Sequence, residues 1–377
     1  MSIFDPKVLA QVPFHFWTTV TFVFGCVVGS FLNVCIYRMP RGESIVHPPS
    51  HCPHCNYSIP WYLNIPLFTW VFLRGRCANC RAPISVRYFL VEFLTGLLFA
   101  ACWLKYGAHW PWVALVYCVF VAGLVAAAFI DFEHYIIPDE ITIGGIGAGI
   151  VCSFFIPELH SEFPDFLRFA KPEQGLYASC IGAVIAAVVF YGIVRLGKLA
   201  FGRHKVQLEP NTKIVFTEST LKLPGQEIQY GEIFYRDNDA IVFQAQRLEL
   251  IDRCYVNVAV RLRRDRLQIG EETLDPEQVP CMEAVTDQIV LPREAMGLGD
   301  VKFMAAFGAF LGWPAVFFIL AVSSLIGALA GITMIALKKK ERYSQIPFGP
   351  YLVVAALVWI FIGRDWMAWW FRLCLSC

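Results

Sequence analysis

What most limits this chain is a recurrence of long apolar runs, at residues 14–37, 88–106, 112–130, 136–156, 176–197, 300–313, 315–337 and 347–363. A helix needs about 20 apolar residues to cross the hydrocarbon core. Only helices and closed barrels satisfy every backbone group there. The runs therefore predict an all-α polytopic membrane protein with about eight transmembrane helices. Composition agrees: 57% of residues are hydrophobic and 16% charged, whereas a soluble domain carries about a quarter charged. A net charge of +1 gives no reason to expect a nucleic-acid partner. The first run is too long for the apolar core of a signal peptide. Only Lys7 precedes it, and it ends in Arg38 and Arg41 without a small-residue cleavage site. Residues 1–37 read as a first transmembrane helix with its N-terminus outside.

Lys and Arg in the connections set the orientation. Residues 38–87 hold Arg38, Arg41, Arg74, Arg76, Arg81 and Arg87; Lys198, Arg203 and Lys205 follow the fifth run, and KKKER occupies 338–342. With eight helices all three fall on one side, which is then cytoplasmic. The opposite connections carry fewer basic residues: Lys105 in one, Arg168 and Lys171 in another. Residues 203–294 differ in kind. They hold 28 of the 61 charged residues and no run long enough to span. Alternating patches such as KIVFT, AIVFQ and YVNVAVRL, separated by turn signals at Pro224-Gly225 and RDND (236–239), predict short strands. This is an inserted small β-rich soluble domain on the cytoplasmic side. It shows no catalytic cluster, and it suits docking or spacing. The membrane part then divides into 88–202 and 295–377.

Most of the 14 cysteines lie singly in apolar runs, where they behave as small hydrophobes. Four do not: CPHC at 52–55 and CANC at 77–80 are two Cys-x2-Cys pairs 21 residues apart. Such pairs present four thiolates tetrahedrally to Zn²⁺. In a cytoplasmic loop disulfides are disfavoured, so Cys52, Cys55, Cys77 and Cys80 are predicted to ligate zinc. A four-cysteine sphere has no open position, which makes the role structural. His51 and His54 stand beside the first pair as surface residues or as neighbours of the ligands.

Two carboxylates mark the membrane boundary. Asp131 follows the third apolar run in AAAFIDFEHYIIPDEIT, and Asp300 opens the sixth in GLGDVK (297–302). Ionisable residues at the membrane are costly and mark functional sites; taken singly, each is equally a helix-end residue facing water. Far apart in sequence, they are expected at one depth on the cytoplasmic side. Two carboxylates a few ångströms apart share a proton, so the charged one serves as general base on a water and the other polarises a carbonyl. That is aspartic-protease chemistry. Gly297 and Gly299 suit a close backbone approach to an extended substrate, or simply a loop before a helix. Asp139, after Pro138, is expected to N-cap the fourth helix. Lys302 is expected to offset carboxylate charge or bind lipid headgroups, and Glu133 and His134 to tune the site or face water. IGGIGAGIV at 143–151 reads as small-residue helix packing rather than a nucleotide fingerprint.

These motifs together resemble the type IV prepilin peptidases, bacterial inner-membrane aspartic proteases of the GxGD type. GSFLNVCIYRMP (29–40), CPHC, NIP, RGRCANC, RYFLVE, DFEHYIIPD (131–139), GLGDVK and IPFGPYL (346–352) follow the order of that family's motifs. The resemblance implies Asp131 and Asp300 as the catalytic pair. It implies removal of the short basic leader from prepilins or pseudopilins at the cytoplasmic face of the bilayer. It also implies N-methylation of the new N-terminus from S-adenosylmethionine, with Gly75 in the cysteine loop as the residue to examine. The 203–294 insertion departs from the common pattern and is expected to gate substrate or recruit a pilus or secretion component. Two other classes are a non-enzymatic membrane scaffold for such an assembly and an ion carrier. The carrier would need more polar residues in mid-helix than this chain has.

Overall fold

A computed structural model of the chain describes residues 13–160, 171–201, 203–224, 226–234, 239–292, 297–337, 347–367 and 369. Lys7, Arg168, Gly225, residues 236–238 of RDND, KKKER and Ile346 lie outside the described residues. Each of the eight apolar runs forms a helix: α1 Phe14–Arg38, then, after a short α2 at Phe68–Phe72, α3 Val86–Tyr106, α4 Pro111–His134, α5 Asp139–Phe155 and α6 Pro172–Phe201. Beyond the β-rich segment (β1–β8, with a four-residue α7 at Tyr230–Ile233) come α8 Leu298–Leu311, α9 Trp313–Ala336 and α10 Gly349–Val358. A π-helical turn, Trp359–Gly363, continues α10. Among the described residues six candidate membrane spans result: His15–Arg41, Val86–Tyr106, Pro111–His134, Pro172–Gly197, Trp313–Met334 and Gly349–Met367. The other two, α5 with 17 residues and α8 with 14, are too short to qualify by length.

The chain divides into two compact units, Met1–Phe190 with Leu298–Cys377, and Tyr191–Gly297. In the helical unit small residues decide which helices meet. Gly25 and Gly29 of α1 are spaced as GxxxG. A Cβ on Gly25 would stand 2.8 Å from the Gly96 Cα of α3, and one on Gly29 would stand 2.7 Å from the Glu92 Cα. Without a hydrophobic drive between helices in lipid, such close backbone approach supplies the van der Waals contact that holds them. α8 is enclosed along most of its length: every residue from Phe303 to Leu311 is buried. Gly308 is pressed against Gly182 of α6, where an added Cβ would lie 2.2 Å from the Gly182 carbonyl oxygen. On another side Gly149 and Gly145 of α5 receive Ala309 and Ala306. The glycine-rich run thus packs helices at two of its glycines, while an added Cβ on Gly144 or Gly147 meets nothing within 4 Å among the described residues. α8 and α9 read as nearly continuous in sequence because only Gly312, at φ +78°, breaks the chain between them.

The second unit is one eight-stranded antiparallel sheet in the order β3-β2-β1-β8-β4-β5-β6-β7. Its strands are β1 Arg203–Thr217, β2 Thr220–Leu223, β3 Gln226–Gln229, β4 Ala240–Glu249, β5 Cys254–Arg263, β6 Leu267–Ile269, β7 Glu272–Leu274 and β8 Cys281–Pro292. Period-two alternation puts Ile241, Phe243 and Ala245 of β4 into a core with Ile214, Phe216, Val260, Leu262 and Ile289. Phe216 and Phe243 stack with ring centroids 5.3 Å apart. The β1–β8 register shifts between Gln207↔Gln288 and Thr212↔Thr286, with Asn211 at φ 64° inside the irregular stretch.

Candidate active site and metal centre

α4 runs one turn beyond its apolar stretch, so Asp131 lies within the helix rather than after it. The helix ends at Tyr135, whose left-handed backbone (φ 57°) donates its N–H to the Asp131 carbonyl and turns the chain into Ile136–Pro138. The Asp131 side chain is buried, 6% exposed. Its Oδ2 accepts the Gly349 N–H at 2.8 Å. Gly349 opens α10, so its N–H is one of the helix-terminal donors that has no partner within its own helix. A Cβ there would stand 2.7 Å from Oδ2, so only glycine lets this backbone reach the carboxylate.

Asp300 sits in the first turn of α8, half-buried, where the helix dipole favours a carboxylate. Two contacts pack this turn on the link that leaves Asp131. An added Cβ on Gly299 would meet the Ile137 Cβ at 3.8 Å, and Lys302 Nζ pairs with the Asp139 carboxylate at 2.7 and 3.0 Å. The start of α8, the end of α4 and the start of α10 thus meet around the 131–139 segment. Gly299 is helical with room for a side chain, and Gly297 is exposed just before the helix. Asp139 is not the N-cap of α5. Pro138 holds that position and Asp139 is the first helical residue, its carboxylate turned to Lys302. Glu133 pairs with Arg87 at the start of α3. The sequence reading missed Gly349: FGP was visible, but nothing local shows that its N–H meets a carboxylate 218 residues away.

The four-cysteine loop forms two matching knuckles. In each, the first Cys accepts a backbone N–H from the residue after the second Cys: Asn56 to Cys52 at 2.9 Å, Arg81 to Cys77 at 3.1 Å. Asn56 (φ 53°) and Arg81 (φ 63°) both take the left-handed conformation that closes such a turn. Single bridges, His51↔Ser58 and Arg76↔Pro83, clamp each knuckle's base. The four Sγ atoms lie within 4.8 Å of one another, Cys52 and Cys80 at 3.8 Å. A tetrahedron of sulfurs about 2.3 Å from a zinc ion has edges of about 3.8 Å, so the set fits such an ion. Backbone N–H groups of Cys80 and Asn79 pull the Cys77 thiol down to about 6. The Tyr57 N–H likewise lowers Cys55. Cys80 receives the Ala82 N–H, which lowers it, but desolvation and the sulfurs of Cys55, Cys77 and Cys52 outweigh that and push it up to about 11. The Cys55 and Cys77 thiols are thereby primed to lose protons to a cation. His51 and His54 are exposed, and His51 Nδ1 lies 3.1 Å from the Pro49 carbonyl, not at the sulfurs. Gly75 is buried at φ +64°; its N–H donates to Trp70, and a Cβ would strike the Trp70 ring at 2.9 Å. Its visible work is to close the turn that carries the second knuckle.

A bundle with two boundary aspartates and a four-thiol loop defines a polytopic membrane protein of the GxGD kind. A family profile described as "Bacterial Peptidase A24 N-terminal domain" matches residues 23–106, and one described as "Type IV leader peptidase family" matches 118–206 and 281–332. The break between the last two segments falls inside the β-sheet unit. Proteins named prepilin leader peptidase/N-methyltransferase are similar. The one from Dichelobacter nodosus is 34% identical over 208 residues, 48% of this chain and 67% of that protein. That from Aeromonas hydrophila is 27% identical over 375, covering 93% and 92%. That from Myxococcus xanthus is 52% identical over 133, covering 35% and 39%. No solved structure matches the chain. The chain belongs to the type IV leader peptidase family.

Proposed function

We propose that the protein is a membrane aspartic endopeptidase that removes the leader from prepilins or pseudopilins. Asp131 and Asp300 form its catalytic pair. The observation that carries this is the buried Asp131 carboxylate held by the Gly349 N–H, with the Asp300 turn packed on the link that leaves Asp131. In the reaction the ionised member takes a proton from water while the protonated member donates to the scissile carbonyl oxygen. The tetrahedral adduct then collapses as the departing amine takes up a proton. Gly349 fixes one carboxylate and the α8 N-terminus presents the other. Gly297 and Gly299 leave space along the approach, and the Lys302–Asp139 pair ties α8 to α5. The basic residues of the cysteine loop support a cytoplasmic site in the inner membrane, with α5 and α8 completing eight membrane helices around it.

The cysteine quartet supports a structural zinc ion at Cys52, Cys55, Cys77 and Cys80. The relatives' names support a second activity, N-methylation of the new N-terminus. S-adenosylmethionine would supply an electrophilic methyl on a sulfonium, leaving as a neutral thioether. Gly75 is then a scaffold residue of that half. The 203–294 segment suits recruitment of a pilus or secretion component through its exposed polar faces.

The test is co-expression with a prepilin-like substrate and mass spectrometry of the product N-terminus. Wild type should yield a trimmed N-terminus carrying one added methyl, and Asp131→Asn and Asp300→Asn should each leave the leader in place. Trimming by either variant would remove that aspartate from the mechanism.

A further inference from the structure

Leader cleavage makes no use of one cavity in the helical unit. The cavity lies between α1, the start of α3 and the cysteine loop, with a volume of about 540 Å³, within the range of small-molecule sites. Three polar side chains on its wall are more than nine-tenths buried: Asn33 at 2%, Arg38 at 6% and Glu92 at 8% exposure. Asn33 Nδ2 donates to the Tyr88 carbonyl, but among the described residues its Oδ1 has no partner. The Arg38 guanidinium donates to the carbonyls of Ser44 and Pro48 at 3.0 and 2.7 Å. Glu92 accepts the Leu67 N–H at 2.7 Å and a hydrogen bond from Ser30. Among the described residues neither Arg38 nor Glu92 has an ion-pair partner. A buried charge without a counterion is costly, and here one of each sign lines a single cavity. The Trp70 and Tyr88 side chains also line it, and such rings attract a cation or stack on a flat base.

We infer that this cavity binds the methyl donor, an amino-acid nucleoside sulfonium: Arg38 faces its carboxylate, Glu92 its cationic end, and Asn33 Oδ1 accepts one of its N–H groups. The inference rests on the methylation reading above and gives it a place. The donor's charges are the complement of those the cavity leaves unpaired. Cys52 and Cys77 form part of the same wall, so the metal loop shapes the donor site and loss of the metal loosens it.

The full chain, purified in nanodiscs, is titrated calorimetrically with S-adenosylmethionine. Wild type should bind one equivalent. Glu92→Gln, which keeps an oxygen for the Leu67 N–H, should weaken binding at least about tenfold, and Arg38→Met should do the same. Metal content and the unfolding midpoint show whether each variant has folded. A second measurement needs no variant: ultraviolet cross-linking of methyl-labelled S-adenosylmethionine to wild type should place label between residues 30 and 92. Wild-type affinity in folded Glu92→Gln and Arg38→Met, or label only elsewhere, overturns the site while leaving methylation standing. No binding by wild type at all would overturn the methylation reading itself.

Discussion

Adding one methyl group at Gly349 tests the catalytic assignment without touching either aspartate. In Gly349→Ala the new Cβ would fall 2.7 Å from Asp131 Oδ2 and 3.1 Å from its Cγ. Both are inside van der Waals contact, so the carboxylate or the start of α10 must move. Either movement stretches the 2.8 Å hydrogen bond from the Gly349 N–H. A hydrogen bond to a charged group contributes about 1.5–3 kcal/mol. Lost from the transition state, that is a fall of about 10- to 150-fold in kcat/KM, at 1.36 kcal/mol per tenfold. The assay is single-turnover cleavage of a prepilin in nanodiscs, followed by gel shift. Gly144→Ala is the control, since a Cβ at Gly144 of α5 meets nothing within 4 Å. Activity of Gly349→Ala within twofold of wild type, with the fold intact, would refute the argument that Gly349 positions a catalytic carboxylate.

Cys52→Ser should lower bound zinc and let proteases cut the 38–87 loop, as chelation of the wild type should; purified wild type free of stoichiometric zinc under reducing conditions would sink the four-thiolate site. Gly308→Ala sets a Cβ 2.2 Å from the Gly182 oxygen, a clash between two backbones that no rotamer relieves, and should cost about 3 kcal/mol or more. It is read as a lowered unfolding midpoint and poor membrane yield, and an unchanged midpoint would mean that α6 and α8 do not pack as described. His160, outside the candidate spans, is pushed down to about 3 by burial and by the nearby Arg364 guanidinium. The unfolded chain takes its proton near 6.5 and the folded one near 3. Stability should therefore fall as pH drops through that interval, by at most about 1.4 kcal/mol per unit. Midpoints from pH 7 to 4 in wild type and His160→Gln measure this, and an equally steep fall in the variant would assign it to other groups.

The helices were legible because each is an apolar run bounded by charge, proline or glycine, and the quartet because a Cys-x2-Cys pair is a local signal. The sheet unit was legible as strands, since alternation survives in KIVFT and AIVFQ, but its strand order was not: pairing β1 with β8 joins residues far apart. The same distance hid Gly349 behind Asp131 and the placing of Arg38 and Glu92 on the wall of one cavity. Asp139 misled because a carboxylate near a helix start usually caps it, whereas here Pro138 takes the cap and Lys302 takes the charge. The run at 300–313 was already short in the sequence, whereas the run at 136–156 gives a helix of only 17 residues because Pro138 takes the cap and delays the start to Asp139.

The enclosure of α8 bears on how the protein is made. Fourteen residues span about 21 Å, less than the roughly 30 Å of hydrocarbon, so α8 gains little from lipid alone. Its place is cut by Gly149 and Gly182 on helices that leave the ribosome earlier, and the whole sheet unit is synthesised in between. The bundle must keep an open slot through that interval. On the two-aspartate reading, a nascent chain carries one carboxylate of the pair and cannot cut. Proteolytic competence arrives only when the late helix seats, so immature copies in the membrane are harmless to the substrates inserting beside them.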